Sequence, residues 1–170
     1  PFARELASCK EGIATMSEAT FVGMDLSRDR LDACCLPQKE RLQFDNTAKG
    51  RKAMARALVK RQAALVVMEA TGGLELPVAQ ALDAARIGFA CMNPRRIRLY
   101  AQGLGHEAKT DTIDAYVLAH YALERRPAPQ PLPTEEQLQL QAFQRRRRQL
   151  RKTLIAERNH LKSEPDRAAR

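Results

Sequence analysis

The sequence predicts an α/β fold, a mixed sheet with flanking helices followed by a basic C-terminal helix. Three observations predict it. Short β-prone runs at residues 21–25, 31–36 and 41–44 follow one another with only polar punctuation between them. Apolar runs at 64–68 and 87–92 then alternate with helix-patterned stretches. A proline-rich segment separates these elements from a long charged stretch.

The elements follow in order. Ser27-Arg28-Asp29-Arg30 and Pro37-Gln38-Lys39-Glu40 suit two tight connections, so the first three runs read as an antiparallel meander. Residues 48–61 place Met54 and Leu58 among helix-forming Ala, Lys and Arg, and lead as a crossover helix into the buried-strand run at 64–68. After Thr71-Gly72-Gly73, the apolar positions Leu74, Val78, Ala81 and Leu82 indicate a second helix, and the β-like run 87–92 stops at Asn93-Pro94. The order β-β-β-α-β-α-β matches a ribonuclease H-like core, whose right-handed crossovers make the later half of the sheet parallel. Residues 111–126 form the next helix, with Thr110 as its cap and Pro127 as its stop. Thr134 with Gln137 is a capping-box signature for a last helix running to about Ser163.

A chain of 170 residues can bury one core and carry a helical appendage. Its 44% hydrophobic and 29% charged residues contain no apolar run near the roughly 20 residues a membrane span needs, and residues 1–20 lack a secretory apolar region. Cys9, Cys34, Cys35 and Cys91 lack metal-ligand spacing, and two adjacent cysteines in a strand point to opposite faces, so a reduced cytoplasmic protein is expected. His106, His120 and His160 are too scattered for zinc and read as structural.

The net charge of +9 points to a polyanionic partner. From Gln141 onward ten Lys/Arg face three acids, so this segment carries a net +7 of the chain's net +9. Arg145, Arg146, Arg147, Arg148, Arg151 and Lys152 are its candidate nucleic-acid contacts. With aromatics at 5% and no Trp, a stacking platform for single strands is not expected. Leu140, Phe143, Leu150, Leu154 and Leu161 repeat at alternating three- and four-residue spacing, interrupted by Arg147 and Glu157.

Four carboxylates stand where chemistry is expected. Asp25 and Glu69 each close an apolar strand, and burial there is costly unless the charge is paired or metal-bound. Asp111 and Asp114 lie three apart at the start of a helix, with Cβ atoms about 5–6 Å from each other. Taken singly, a strand-end turn or the helix macrodipole accounts for them. Taken together, an oxygen-only ligand set suits Mg²⁺ or Mn²⁺ and phosphoryl transfer on nucleic acid. Arg95, Arg96, Arg98 and above all Lys109 flank this set as candidate phosphate contacts, against a solvated helix face as the plain alternative.

The strings Val22-Gly23-Met24-Asp25, Met68-Glu69-Ala70-Thr71-Gly72-Gly73, Asn93-Pro94 and Lys109-Thr110-Asp111-Thr112-Ile113-Asp114-Ala115 together resemble the DEDD transposases of bacterial insertion sequences, the group that includes the Piv/MooV invertases. The resemblance runs from about Phe21 to Leu123. It implies a RuvC-like fold with Asp25, Glu69, Asp111 and Asp114 as a catalytic, metal-binding tetrad. It further implies recombination of DNA guided by a structured RNA, assembly into oligomers, and a second C-terminal transposase domain supplying a catalytic serine.

The expected organisation is therefore a disordered leader at 1–19, with Met16 as a natural start, a RuvC-like catalytic domain at 20–126, a spacer at 127–133, and a basic amphipathic or coiled-coil helix at 134–170. That helix would join copies of the chain, which would end before the C-terminal transposase domain. The expected function is the N-terminal catalytic half of a DNA transposase. The alternatives are a stand-alone junction-resolving nuclease and a non-catalytic nucleic-acid-binding regulator.

Overall fold

A computed structural model describes residues 19–105 and 111–163, without the side chains of residues 111–113. Residues 1–18 of the expected leader, with Cys9 and Met16, lie outside the described residues, as do His106, Lys109, the Thr110 cap and residues 164–170. Strands β1 (Thr20–Leu26), β2 (Arg30–Leu36) and β3 (Glu40–Asp45) form the antiparallel meander. Helix α1 (Ala48–Lys60) leads to β4 (Ala63–Glu69), and α2 (Glu75–Ala84) to β5 (Gly88–Met92). The sheet order is β3-β2-β1-β4-β5, with β1, β4 and β5 mutually parallel, which is the predicted ribonuclease H-like arrangement. Three further helices follow: α3 (Pro94–Gly103), α4 (Asp111–Arg125) and α5 (Glu135–Ser163).

The central strands are apolar on both faces because helices cover both. On one face Val22, Met24, Val66 and Met68 pack against Met54 and Leu58 of α1 and Val78 and Leu82 of α2. On the other, Phe21, Leu65, Val67 and Ala90 meet Ile97 of α3 and Leu118, Tyr121 and Ala122 of α4. Cys34 belongs to the α4 face and Cys35 to the α1 face, as strand alternation requires.

Gly23 sets the seat of α4. A Cβ there would overlap the backbone of Ala115 and Ala119 and come within 2.6 Å of the Leu118 carbonyl carbon. The glycine, with Ala115 and Ala119 opposite it, therefore lets helix backbone rest directly on strand backbone.

Helix α3 is an element that the apolar pattern did not reveal. It has ten residues and buries only Ile97, so it carries almost no periodic signal. Its terminus is nonetheless conventional: Asn93 accepts a hydrogen bond from the Arg95 amide at 2.9 Å, and Pro94 occupies the first turn.

The chain divides into two units, the first ending at Leu132 and the second beginning at Pro133. Within the first, the proline-rich stretch lies along the outer edge of β5. The Gln130 amide donates to the Phe89 carbonyl at 2.8 Å, and the Gln130 side-chain oxygen accepts from the Cys91 amide at 3.0 Å. Gly88 leaves room for Pro129, whose Cγ would lie 3.2 Å from a Cβ at that position.

The second unit is α5, opened by the reciprocal bonds predicted for a capping box. The Thr134 amide donates to the Gln137 side-chain oxygen at 2.9 Å, and the Gln137 amide to the Thr134 hydroxyl at 3.3 Å. No residue of α5 is buried, and Phe143 is 73% exposed. Among the described residues no helix is long and apolar enough to cross a membrane.

Candidate active site

Asp25 and Glu69 lie at the carboxyl ends of adjacent parallel strands. Met24 of β1 is in register with Met68 of β4, so the two carboxylate-bearing residues follow side by side, on strands about 4.8 Å apart. Both point to the face that Gly23 and Val67 share, which is the face covered by α4. Both are half-buried.

Helix α4 runs antiparallel to β1. The Arg126 guanidinium, just past its end, sits 5.3 Å from the Phe21 ring centroid, and Ala115 and Ala119 lie over Gly23. Two residues further along β1, Asp25 therefore lies toward the first turn of α4, which holds Asp111 and Asp114. Asp114 is half-buried, and the Asp111 side chain lies outside the described residues. Among the described residues no group of three or more His, Cys, Asp and Glu is gathered closely enough to hold a metal ion. The donor chemistry is carboxylate throughout, which fits a hard divalent cation and not zinc.

A fifth carboxylate stands beside these, and the sequence reading missed it. Asp32 is directly opposite Asp25 in the β1–β2 pairing and shares its face. It accepts a 2.7 Å hydrogen bond from Gln43 and lies 3.8 Å from the Arg30 guanidinium. The hollow at Asp32, Cys34, Arg41, Gln43 and Ala115 encloses about 250 Å³. The signal was available: a hairpin turn centred on Arg28 and Asp29 pairs Asp25 with Asp32.

The predicted phosphate contacts separate by environment. Arg95 and Arg98 are exposed on α3, beyond the same strand ends. Arg96 lies 5.9 Å from the Tyr121 ring centroid, a packing contact with α4. Lys109 is outside the described residues. Arg145, Arg146, Arg147, Arg148, Arg151 and Lys152 are exposed on α5. His120 is structural, its Nδ1 being 2.8 Å from the Tyr100 hydroxyl.

A family model for DEDD transposases of the IS110 type, described as Transposase, matches residues 22–164. The chain belongs to this transposase family. Two similar relatives, the pilin gene-inverting proteins of Moraxella lacunata and Moraxella bovis, are each 26% identical to the chain over 145 residues. These alignments cover 82% of the chain and 45% of each relative, so the chain spans about half their length. Among solved structures, a Thermus thermophilus RuvC structure is 13% identical with a TM-score of 0.47, covering 64% of this chain and 98% of the RuvC chain.

The loop after Glu69 is closed from within the chain. The Glu75 carboxylate accepts from the Thr71 hydroxyl at 2.7 Å, the Gly73 amide at 2.8 Å and the Thr71 amide at 3.2 Å. Gly72 and Gly73 adopt φ of 86° and 142°, which other residues rarely tolerate. The Thr71 and Gly73 amides of this loop are thus both taken up by Glu75. Burial opposes the charge on Glu75, but hydrogen bonds from its own amide, the Gly73 amide and Thr71 outweigh it and hold the carboxyl below the usual carboxylate range. Because this pKa falls on folding, the contribution is present above the ordinary glutamate value and fades as pH drops toward the lowered one. Glu75→Gln is expected to speed hydrogen exchange of the Thr71 and Gly73 amides at pH 7 by up to about tenfold. It should also remove their loss of protection in mild acid, which exchange followed by mass spectrometry would register.

Proposed function

We propose that this chain is the N-terminal catalytic half of a cytoplasmic DNA transposase or site-specific recombinase that performs divalent-metal-dependent phosphoryl transfer. The observation that carries the reading is the pairing of Asp25 and Glu69 on neighbouring strand ends, on the face where α4 begins with Asp111 and Asp114. Asp25, Glu69, Asp111 and Asp114 would hold Mg²⁺ or Mn²⁺. When bound, such ions would supply Lewis acidity for the attacking and leaving oxygens of a phosphodiester.

The chain's own side chains provide the rest. Arg95, Arg96, Arg98 and Lys109 would align the scissile backbone, and the exposed arginines of α5 would grip DNA or a structured guide RNA. The exposed stripe of Leu140, Phe143, Leu150, Leu154 and Leu161 supports homo-oligomerisation through α5.

Titrating Mn²⁺ into the chain, followed by electron paramagnetic resonance of the free ion, tests the metal assignment. Saturable uptake is expected, weakened about 100-fold or more in Glu69→Gln, since a direct ligand should exceed the 10–100-fold range of outer-shell partners. Uptake unchanged by that substitution would remove Glu69 from the site and the reading with it.

A further inference from the structure

The basic C-terminal segment dominates the charge of the sequence, yet the first unit has a cationic surface of its own. Helix α1 carries Lys49, Arg51, Lys52, Arg56 and Lys60 and no acid. At 100° per residue, Lys49, Lys52, Arg56 and Lys60 fall on one stripe about 80° wide. All four are exposed, and among the described residues none of them forms an ion pair. The stripe lies away from the buried positions Met54 and Leu58.

The acids nearest α1 do not neutralise this stripe. Glu40 is engaged by Arg61, whose Nε donates to it at 2.6 Å. Asp45 packs its backbone under Gly50, which lies about 80° or more around the helix from Lys49, Lys52, Arg56 and Lys60. Beside the stripe a groove of about 420 Å³ opens between α1 and α2. Arg51, Lys52 and Arg56 form one wall, and the other is uncharged, with Pro77, Gln80 and Ala84. Arg51 is held toward the start of the helix by hydrogen bonds to the Asn46 carbonyl at 3.1 Å and side-chain oxygen at 2.8 Å.

Helices α1 and α2 cover the face of the sheet opposite α4. A duplex segment held there lies on the opposite side of the sheet from the face that Asp25 and Glu69 share. From Lys49 to Lys60 the helix rises about 16 Å, while one strand of duplex DNA places a phosphate every ~3.4 Å of its axis. The stripe therefore matches a short stretch of a single backbone.

We propose that α1 is a second DNA-binding surface, which grips the phosphate backbone of a duplex segment that is not being cut. This rests on the reading of the chain as a DNA-acting protein, but not on its metal site. Lys52, Arg56 and Lys60 contact phosphates, Lys49 extends the row, and the neutral α2 wall admits the backbone without repelling it. Binding here carries no base preference, because the stripe offers only cations.

The experiment is duplex-DNA binding by the whole chain in EDTA across a salt series, comparing the parent with a Lys52→Gln, Arg56→Gln, Lys60→Gln triple variant. The slope of log affinity against log salt is expected to fall by about 2.7, at 0.9 for each lost phosphate contact. Glutamine forms helices as well as lysine does, and all three sites are exposed, so the variant should fold, as circular dichroism would check. In parallel, acetylation of the parent protein read by mass spectrometry should show Lys49, Lys52 and Lys60 protected by duplex DNA.

An unchanged slope together with unprotected lysines overturns the proposal. Protection by duplex RNA in preference to duplex DNA also overturns it, by assigning the surface a different occupant. Because the measurement is made without metal, protection of α1 alongside failed Mn²⁺ uptake leaves this surface standing while the catalytic reading falls.

Discussion

Gly23→Ala is expected to lower the melting temperature of the first unit by about 10 °C. The new methyl would overlap helix backbone at Ala115 and Ala119, and backbone cannot rotate away as a flexible side chain can. Relief requires α4 to lift from β1, opening the contact of Phe21 and Val67 with Leu118 and Tyr121. Overpacking of this kind costs about 3 kcal/mol or more, a large part of a typical domain's stability, and at this size each kcal/mol moves the midpoint by about 3–4 °C. Gly103→Ala is the control. Nothing lies within 4 Å of a Cβ at that helical position, so the midpoint should hold or rise slightly. Scanning calorimetry of both variants decides, and equal melting of Gly23→Ala and the parent would refute the close seat of α4.

The second large effect is expected at Asp25. If the proposed metal-dependent cleavage holds and Asp25 is a ligand, Asp25→Asn should lower that cleavage about 100-fold or more, while leaving metal-free DNA binding intact. Asp32→Asn makes the comparison sharp. Asp32 faces Asp25 across the β1–β2 pair but is already hydrogen-bonded by Gln43, so its replacement should reduce cleavage only several-fold. Equal losses in both variants, or a wild-type rate in Asp25→Asn, would refute the assignment.

Much of the fold was legible because strand and helix periods are strong where both sides of an element are constrained. The run ending in Asp25 and the run ending in Glu69 were readable as buried strands, and their common end followed from the parallel order. The capping signal at Thr134 was equally plain. Helix α3 escaped because a helix that buries one side chain has almost no period to read. The seat of α4 on Gly23 is a tertiary contact between residues nearly a hundred positions apart, and a glycine in a strand announces closeness without naming what approaches.

The site was legible in part for similar reasons. Asp25 and Glu69 stood out because a carboxylate ends each apolar run. Asp32 was hidden because it stands within its strand between the buried Leu31 and Ala33 and not at the end of an apolar run, so only hairpin register reveals its neighbour. The cations of α1 were visible one by one, but the larger charge of the C-terminal segment masked them until the helix brought Lys49, Lys52, Arg56 and Lys60 into line.

Gln130 has a consequence for how the protein behaves at high concentration. By satisfying the Phe89 carbonyl and the Cys91 amide, it occupies groups through which β5 could recruit a strand from another molecule. Fibrous growth needs two sticky ends, one to receive and one to be received. With the β5 end already plugged, recruitment at β3 could join two molecules but could not continue by adding strand to strand.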